Sequence, residues 1–193
     1  PSNVNHLLTP HFWKKVSRYT THIMRGDWDM NYSECSVFLS GWHEFGHSAQ
    51  PRLVSFDDYL LYNSFLKHFS EEIPWEDTEL YMYLQNNSEK YWHKYNSEER
   101  INATLEEVDD LYNSIESQGY KRQSSLRESE SEYPLYKENL PPNLDEVSVN
   151  IGRNGNFIFD DGRHRFCIAK ILGVPEIPVR VLVRHKNWQS IRQ

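Results

Sequence analysis

The sequence predicts an α+β fold: a small mixed sheet with its helices, interrupted by a helical insertion. Three observations carry this. Between Ser55 and Gly119 apolar residues recur at helical spacing, whereas from Val147 to Val183 they alternate with polar ones, the period of strands. Aromatic residues make up 14% of the chain, so a hydrophobic share of only 38% still allows a dense core. At 193 residues the chain has the length of a single domain.

Taken in order, Tyr19 to Met24 reads as a first strand, ending at the carboxylate-rich turn Arg25-Gly26-Asp27-Trp28-Asp29. Residues 31–51 look mostly irregular, with a short apolar element from Cys35 to Trp42. Ser55 to Asp58 is a capping-box variant that opens a helix, with Phe56, Tyr59, Leu60, Leu66 and Phe69 towards one side. Pro74 breaks it. Glu76-Asp77-Thr78 caps a second, long amphipathic helix marked by Leu80, Tyr81, Leu84, Tyr91, Trp92 and Tyr95. A third helix is expected from Thr104, with Glu107 closing a capping box and Gly119 at its end.

Residues 121–142, dominated by Ser, Glu and Arg, are expected to form a long loop. Val147, Val149 and Ile151 then mark a strand, Asn154-Gly155 a hairpin turn, and Asn156 to Phe159 the returning strand. Gly162 to Leu172 is a short helix, stopped by Gly173 and Pro175. Ile177, Val179, Val181 and Val183 alternate with Pro178, Arg180, Leu182 and Arg184 in a final strand.

Charge and cysteine usage narrow the function. With 21 Lys and Arg against 28 Asp and Glu, the net charge of −7 offers no global field for nucleic acid, leaving only a local basic patch. Cys35 and Cys167 are too far apart and too few for a disulfide framework or a cysteine zinc site. The longest apolar runs, such as Phe157-Ile158-Phe159, are far short of a membrane span, and the first residues do not resemble a signal peptide. A soluble, cytoplasmic protein with no membrane partner is the expectation.

The stretch Asp160-Asp161-Gly162-Arg163-His164-Arg165 is the most informative. Asp161 is a good N-cap, which places Arg163, His164 and Arg165 in the first helical turn. Cations there oppose the helix dipole, so helix stability does not ask for them. A phosphate would resolve the conflict by drawing together unpaired N–H groups, two guanidiniums and an imidazole, with Gly162 allowing close backbone approach. The plainer alternative pairs Arg163 and Arg165 with Asp160, Asp161 or Glu176.

With Ala169-Lys170-Ile171-Leu172-Gly173 and Ile177-Pro178-Val179 following, this turn resembles the ParB/sulfiredoxin superfamily. Leu111 to Ile115 followed by Gly119 is similar to that family's Leu-x-x-Ser-Ile-x-x-x-Gly helix. The resemblance covers about residues 104–185, with residues 19–29 as the first strand and residues 31–103 as the insertion. It implies a nucleotide, ATP/ADP or CTP, held with Mg²⁺ at Gly162, Arg163, His164 and Arg165. The nearest turn is the Asp-Gly-His-His-Arg of free-serine kinases, matched at Asp161, Gly162, His164 and Arg165, with Arg163 in place of the first His. Sulfiredoxins carry Cys at that same position, so thiol chemistry is not expected here. A partition role is not expected either, since no helix-turn-helix pair follows the last strand.

The implied activity is phosphoryl transfer to an unknown acceptor, or nucleotide hydrolysis. It needs a carboxylate as base or metal ligand, for which Asp27, Asp29, Asp160 and Asp161 are the candidates, with His164 as a further catalytic candidate and Glu76 and Asp77 read mainly as a helix cap. The alternative is a non-catalytic adaptor or nuclease-like protein that holds a nucleotide or nucleic-acid phosphate at the same turn. A remote third reading is zinc hydrolysis, because His43-Glu44-Phe45-Gly46-His47 spells His-Glu-x-x-His. Gly41, Gly46 and Pro51 make a poor helix for that motif. Gly152 to Gly155 mimics a Gly-x-x-Gly RNA loop, but strands flank it. The basic residues Arg180, Arg184, His185, Lys186 and Arg192 could touch nucleic acid or a partner, although a solvated strand face and tail is the plainer reading.

Overall fold

The computed structural model describes residues 22–30, 59–88, 95–128 and 145–192. They form an α+β structure with a four-stranded mixed sheet and, among the described residues, six α-helices. The chain divides into two compact units. One contains Pro1–Leu53, Asn143–Gly162 and Val179–Gln193, and the other Val54–Pro142 and Arg163–Pro178.

The first unit holds the sheet. Its strands are β1 (His22–Met24), β2 (Val147–Ile151), β3 (Phe157–Asp161) and β4 (Val179–His185), in the order β1-β4-β2-β3. β4 runs parallel to both β1 and β2, while β3 returns antiparallel to β2. Every residue of β2 is buried, as befits an interior strand. The β2–β3 turn is closed by the Gly155 N–H donating to the Gly152 carbonyl at 3.0 Å. Only Gly155, at φ 84°, is left-handed there, so Asn154-Gly155 does not form the two-residue turn in which both residues have positive φ.

Two irregularities meet on β2. Against β3 the register jumps by one residue between Ser148 and Val149, leaving Asp160 as the extra residue. Against β4 it jumps between Val149 and Asn150, leaving Leu182. The Asn150 amide spans both. Its Nδ2 donates to Asp160 Oδ2 at 2.9 Å, and its Oδ1 accepts from the Val183 N–H at 3.1 Å. Asn150 is 2% exposed and Asp160 7%, so neither bond is made in water.

The second unit is helical. Here α1 (Leu60–Glu71), α2 (Glu79–Asn86), α3 (Glu98–Gln118), α4 (Gln123–Glu128) and α5 (Arg163–Ile171) follow one another, with a 3₁₀ turn at Trp75–Asp77. Thr78 caps α2 as the sequence suggests, accepting from the Tyr81 N–H at 3.3 Å, while buried Ser64 of α1 accepts from the Leu80 N–H at 3.0 Å. The apolar stripe of α3 is Ile101, Leu105, Val108, Leu111 and Ile115. Buried Cys167, Ile168 and Ala169 give α5 its apolar face.

Sequence and structure also differ along the helices: α1 starts at Leu60 with Tyr59 as its N-cap, and the expected opening at Ser55 to Asp58 lies outside the described residues. α3 starts at Glu98, because Ser97 accepts from the Arg100 N–H while two glutamates sit in the first turn. Thr104 lies inside that helix, its hydroxyl turned back to the Arg100 carbonyl at 2.8 Å. α2 ends at Asn86, where the Asn87 side chain donates to the Tyr83 carbonyl, and Tyr95 lies beyond it in a turn. The expected loop opens with α4, and the expected tail contains α6 (Lys186–Ile191), capped by His185.

Replacing Asn150 with Ala removes a buried partner from both Asp160 and the Val183 N–H. The expected loss is about 2 kcal/mol in urea unfolding followed by tryptophan fluorescence. A change under about 0.5 kcal/mol, the ordinary size for an unremarkable surface site, would show that the amide does not hold the two bulges.

Candidate functional site

The phosphate-turn residues lie where β3 becomes α5. Gly162 joins them at φ 89°, and a Cβ there would sit 3.0 Å from the Val147 Cα, tighter than nine in ten real Cβ contacts. Asp161 Oδ1 accepts from the adjacent Gly162 N–H at 2.8 Å. Arg163, His164 and Arg165 are the first three residues of α5, a turn that contains no acid. The His164 ring lies 5.7 Å from that of Phe65 on α1. Cys167 is fully buried, and burial pushes its thiol well above the ordinary range despite the nearby charges of Arg163 and Lys170. It is a core residue rather than a nucleophile.

Asp27 and Asp29 have a different setting, at the end of the sheet where the three parallel strands finish. Arg153, just past β2, donates through Nε to Asp29 Oδ1 and Oδ2 at 3.0 and 3.1 Å, and through Nη2 to Asp29 Oδ1 at 2.7 Å. Its backbone N–H donates to Asp29 Oδ2 at 2.7 Å, and Nη2 also reaches Asp27 Oδ1 and the Gly26 carbonyl. The Asp29 side chain is 5% exposed and that of Asp27 is 64% exposed. Burial pushes the Asp29 carboxyl up, but the hydrogen bonds and charge of Arg153 outweigh it and leave it below its ordinary value.

His185, the last residue of β4, completes the clamp. Its Nδ1 accepts from the Asn187 N–H, so Nε2 carries the proton and donates it to the Gly26 carbonyl at 2.9 Å. The Trp28 ring, 2% exposed, lies 5.9 Å from the His185 ring. Asp29 is thus engaged through both oxygens, whereas Asp27 gives one oxygen to Arg153 and remains largely open to solvent.

The helical unit holds a further polar cluster. His68 Nδ1 lies 2.7 Å from the Ile73 carbonyl and so must donate to it, while Nε2 faces Asp109 Oδ1 at 3.2 Å. That second contact needs one proton shared between imidazole and carboxylate. Trp75 Nε1 donates to the same oxygen, and burial, the leading influence, raises the Asp109 carboxyl above its ordinary value. Nothing in the sequence marks Arg153, His68 or Asp109 as site residues, and His185 stands out only as one of the basic residues near the end of β4. A carboxylate-rich turn in search of a cation was the only available hint for Arg153.

Glu76 and Asp77 form part of the 3₁₀ turn ahead of Thr78, in keeping with a capping role. His43, Glu44 and His47 lie outside the described residues. Among the described residues no group of three or more His, Cys, Asp or Glu is placed to hold a metal, and no helix is long and apolar enough to cross a membrane. Compared with protein-family models, curated proteins and solved structures, the chain has no significant match.

Two substitutions test these assignments. Gly162→Ala combines a left-handed backbone with contact against Val147 and is expected to cost about 1–3 kcal/mol of stability. Asp29→Asn is expected to lower the melting temperature at neutral pH by on the order of 5 °C. Because the folded Asp29 titrates below its ordinary 3.8, its contribution is complete above that pH and fades as pH falls through the depressed folded value. The melting curves of wild type and variant should therefore converge in acid; a gap that stays constant down to acid unfolding would exclude a charged clamp.

Proposed function

We propose that the chain is a ParB/sulfiredoxin-like protein that binds a nucleotide phosphate at Gly162, Arg163, His164 and Arg165. The observation that carries this reading is local: a left-handed glycine with no room for a side chain leads into a helix whose first turn holds three basic residues and no acid. Such a turn suits an anion, since the dipole, the guanidiniums and the imidazole all favour negative charge there. The order of the four sequence segments that resemble the superfamily supports the same reading.

The donor set fits ATP/ADP or CTP better than it fits a metal alone. Arg163 and Arg165 would hold phosphate oxygens, and His164 would donate to one of them or accept a proton from an attacking group. Mg²⁺ would arrive with the phosphates and use Asp161, which is exposed at the turn, and it would supply charge neutralisation of the transferred group. Of the two carboxylates after β1, Asp27 is the one with an oxygen to spare for a base or metal role. Asp29 acts by fixing the turn on which Asp27 sits. The resulting activity is phosphoryl transfer to an unidentified acceptor or nucleotide hydrolysis. The second reading is a non-catalytic adaptor that holds the same phosphate without turnover, and it is favoured by the use of both Asp29 oxygens in the Arg153 clamp.

Isothermal titration of ATP, ADP and CTP with Mg²⁺ tests the phosphate turn. Binding is expected in the intact protein, with a loss of at least about tenfold in Arg165→Ala, the size expected for removing a charge-assisted contact. No heat from any nucleotide would rule the reading out. Where binding is present, release of inorganic phosphate that Asp27→Asn abolishes supports the enzyme. Binding without turnover supports the adaptor.

A further inference from the structure

The sheet end that carries the Arg153 clamp also carries cations that the clamp does not use. β1 and β4 are parallel and end in register, Met24 opposite His185, so Arg25 and Lys186 follow at the same end of neighbouring strands. β2 ends there too, with Ile151 opposite Arg184. α6 starts at Lys186 and brings Trp188 over the β2–β3 turn, where a Cβ on Gly155 would meet Trp188 Nε1 at 3.0 Å. The Arg192 guanidinium lies over the Trp188 ring, 5.0 Å from its centroid.

The basic side chains at this end are treated unequally. Arg153 has two carboxylates, Asp27 and Asp29. Among the described residues, Arg25, Arg184, Lys186 and Arg192 have no carboxylate within 4.0 Å, although the chain carries 28 acids against 21 Lys and Arg. From Val179 to Arg192 there are four Lys or Arg and no Asp or Glu. Arg25 and Arg192 are exposed, and Arg184 and Lys186 are half-buried.

The layout of these charges indicates the kind of partner. They do not converge on one point, as they would around a single phosphate. They run across the ends of two neighbouring strands, β1 and β4, spaced about 4.8 Å apart, and on along a helix that rises about 1.5 Å per residue. A row of that kind matches a chain of regularly spaced negative charges. The site is also where open sheets take ligands, outside the carboxyl ends of parallel strands.

We propose that the end of the sheet formed by Arg25, Arg184, Lys186, Trp188 and Arg192 binds the phosphate backbone of a nucleic acid. The proposal is independent of the nucleotide turn, since it uses none of Gly162, Arg163, His164 or Arg165.

Fluorescence anisotropy with labelled single-stranded and duplex DNA of about 20 nucleotides tests it, at salt concentrations from about 50 to about 200 mM. Binding is expected to weaken steeply with salt. Arg184→Gln with Lys186→Gln, which removes both charges but keeps polar side chains, should weaken it roughly tenfold at low salt and lower the log–log salt slope by about 1 to 2. Lys67→Gln, which removes a cation paired with Glu79 in the helical unit, should leave binding unchanged. Thermal melting of each variant separates lost binding from lost fold; if the double variant melts early, Arg25→Gln is read instead at its exposed position. Full affinity in the folded charge variants, or no binding to either DNA, overturns the proposal. So does retention on phosphatidylserine vesicles without DNA binding, which would assign the row to an anionic lipid surface.

Discussion

The sheet depends on one amide. An interior strand flanked by a bulge on each side would leave ladder groups without partners, because each extra residue pushes its neighbours out of register. Asn150 answers both faults with a single side chain, giving its N–H to the bulged Asp160 and its carbonyl oxygen to the Val183 N–H. A primary amide has a donor and an acceptor at the same tip, which neither an ionised Asp nor a Leu offers. Such a bond is strong because it is shielded from water, and leaving any part of it unmade is correspondingly expensive. The carboxyl ends of β1, β4 and β2 are brought level by the register that this amide holds.

Once those ends are level, a short polar clamp can join them. Arg153 follows β2, Asp27 and Asp29 follow β1, and His185 closes β4 between them. The proton positions are consistent all round: Arg153 donates throughout, Asp29 accepts throughout, and His185 accepts at Nδ1 and donates at Nε2. Buried charges of this kind are tolerated only when paired and hydrogen-bonded, which describes Asp29. Asp27, at the exposed edge of the same turn, carries much less of that constraint and keeps its chemistry available.

What was legible in the sequence followed from local pattern. The alternation in β2 and β4, the stripe of α3, the Thr78 cap and the Gly119 stop are each fixed by residues a few positions apart. The errors also arose locally. Thr104 and Glu107 match a capping box, but Ser97 lies at the true helix start and a mid-helix threonine can satisfy its hydroxyl on the preceding turn. The clamp was not legible because Arg153 and Asp29 are 124 positions apart, and nothing in either neighbourhood names the other. Asp27 and Asp29 were picked out as carboxylates close together, and the structure adds what the pattern lacked: one is a buried anchor and the other an exposed acid. The composition of residues 121–142 hid α4, since Ser and Arg are compatible with helix and loop alike.

Net charge is a poor guide to what such a molecule touches, because fields at a surface are set within about 10 Å by screening. An overall −7 says that anions are repelled at long range, but it does not describe either place where cations gather. At the start of α5 three basic residues stand against the helix dipole in a turn without an acid. At the sheet end the nearest carboxylates, Asp27 and Asp29, turn to Arg153 although Arg25 is closer to them in sequence. A guanidinium that meets Asp29 through both Nε and Nη2 takes geometric precedence over a neighbour on a flexible turn. The clamp that stabilises the sheet therefore also withdraws the acids that would have neutralised Arg25 and Lys186, and an anion-facing row is the electrostatic consequence of how the fold is held together.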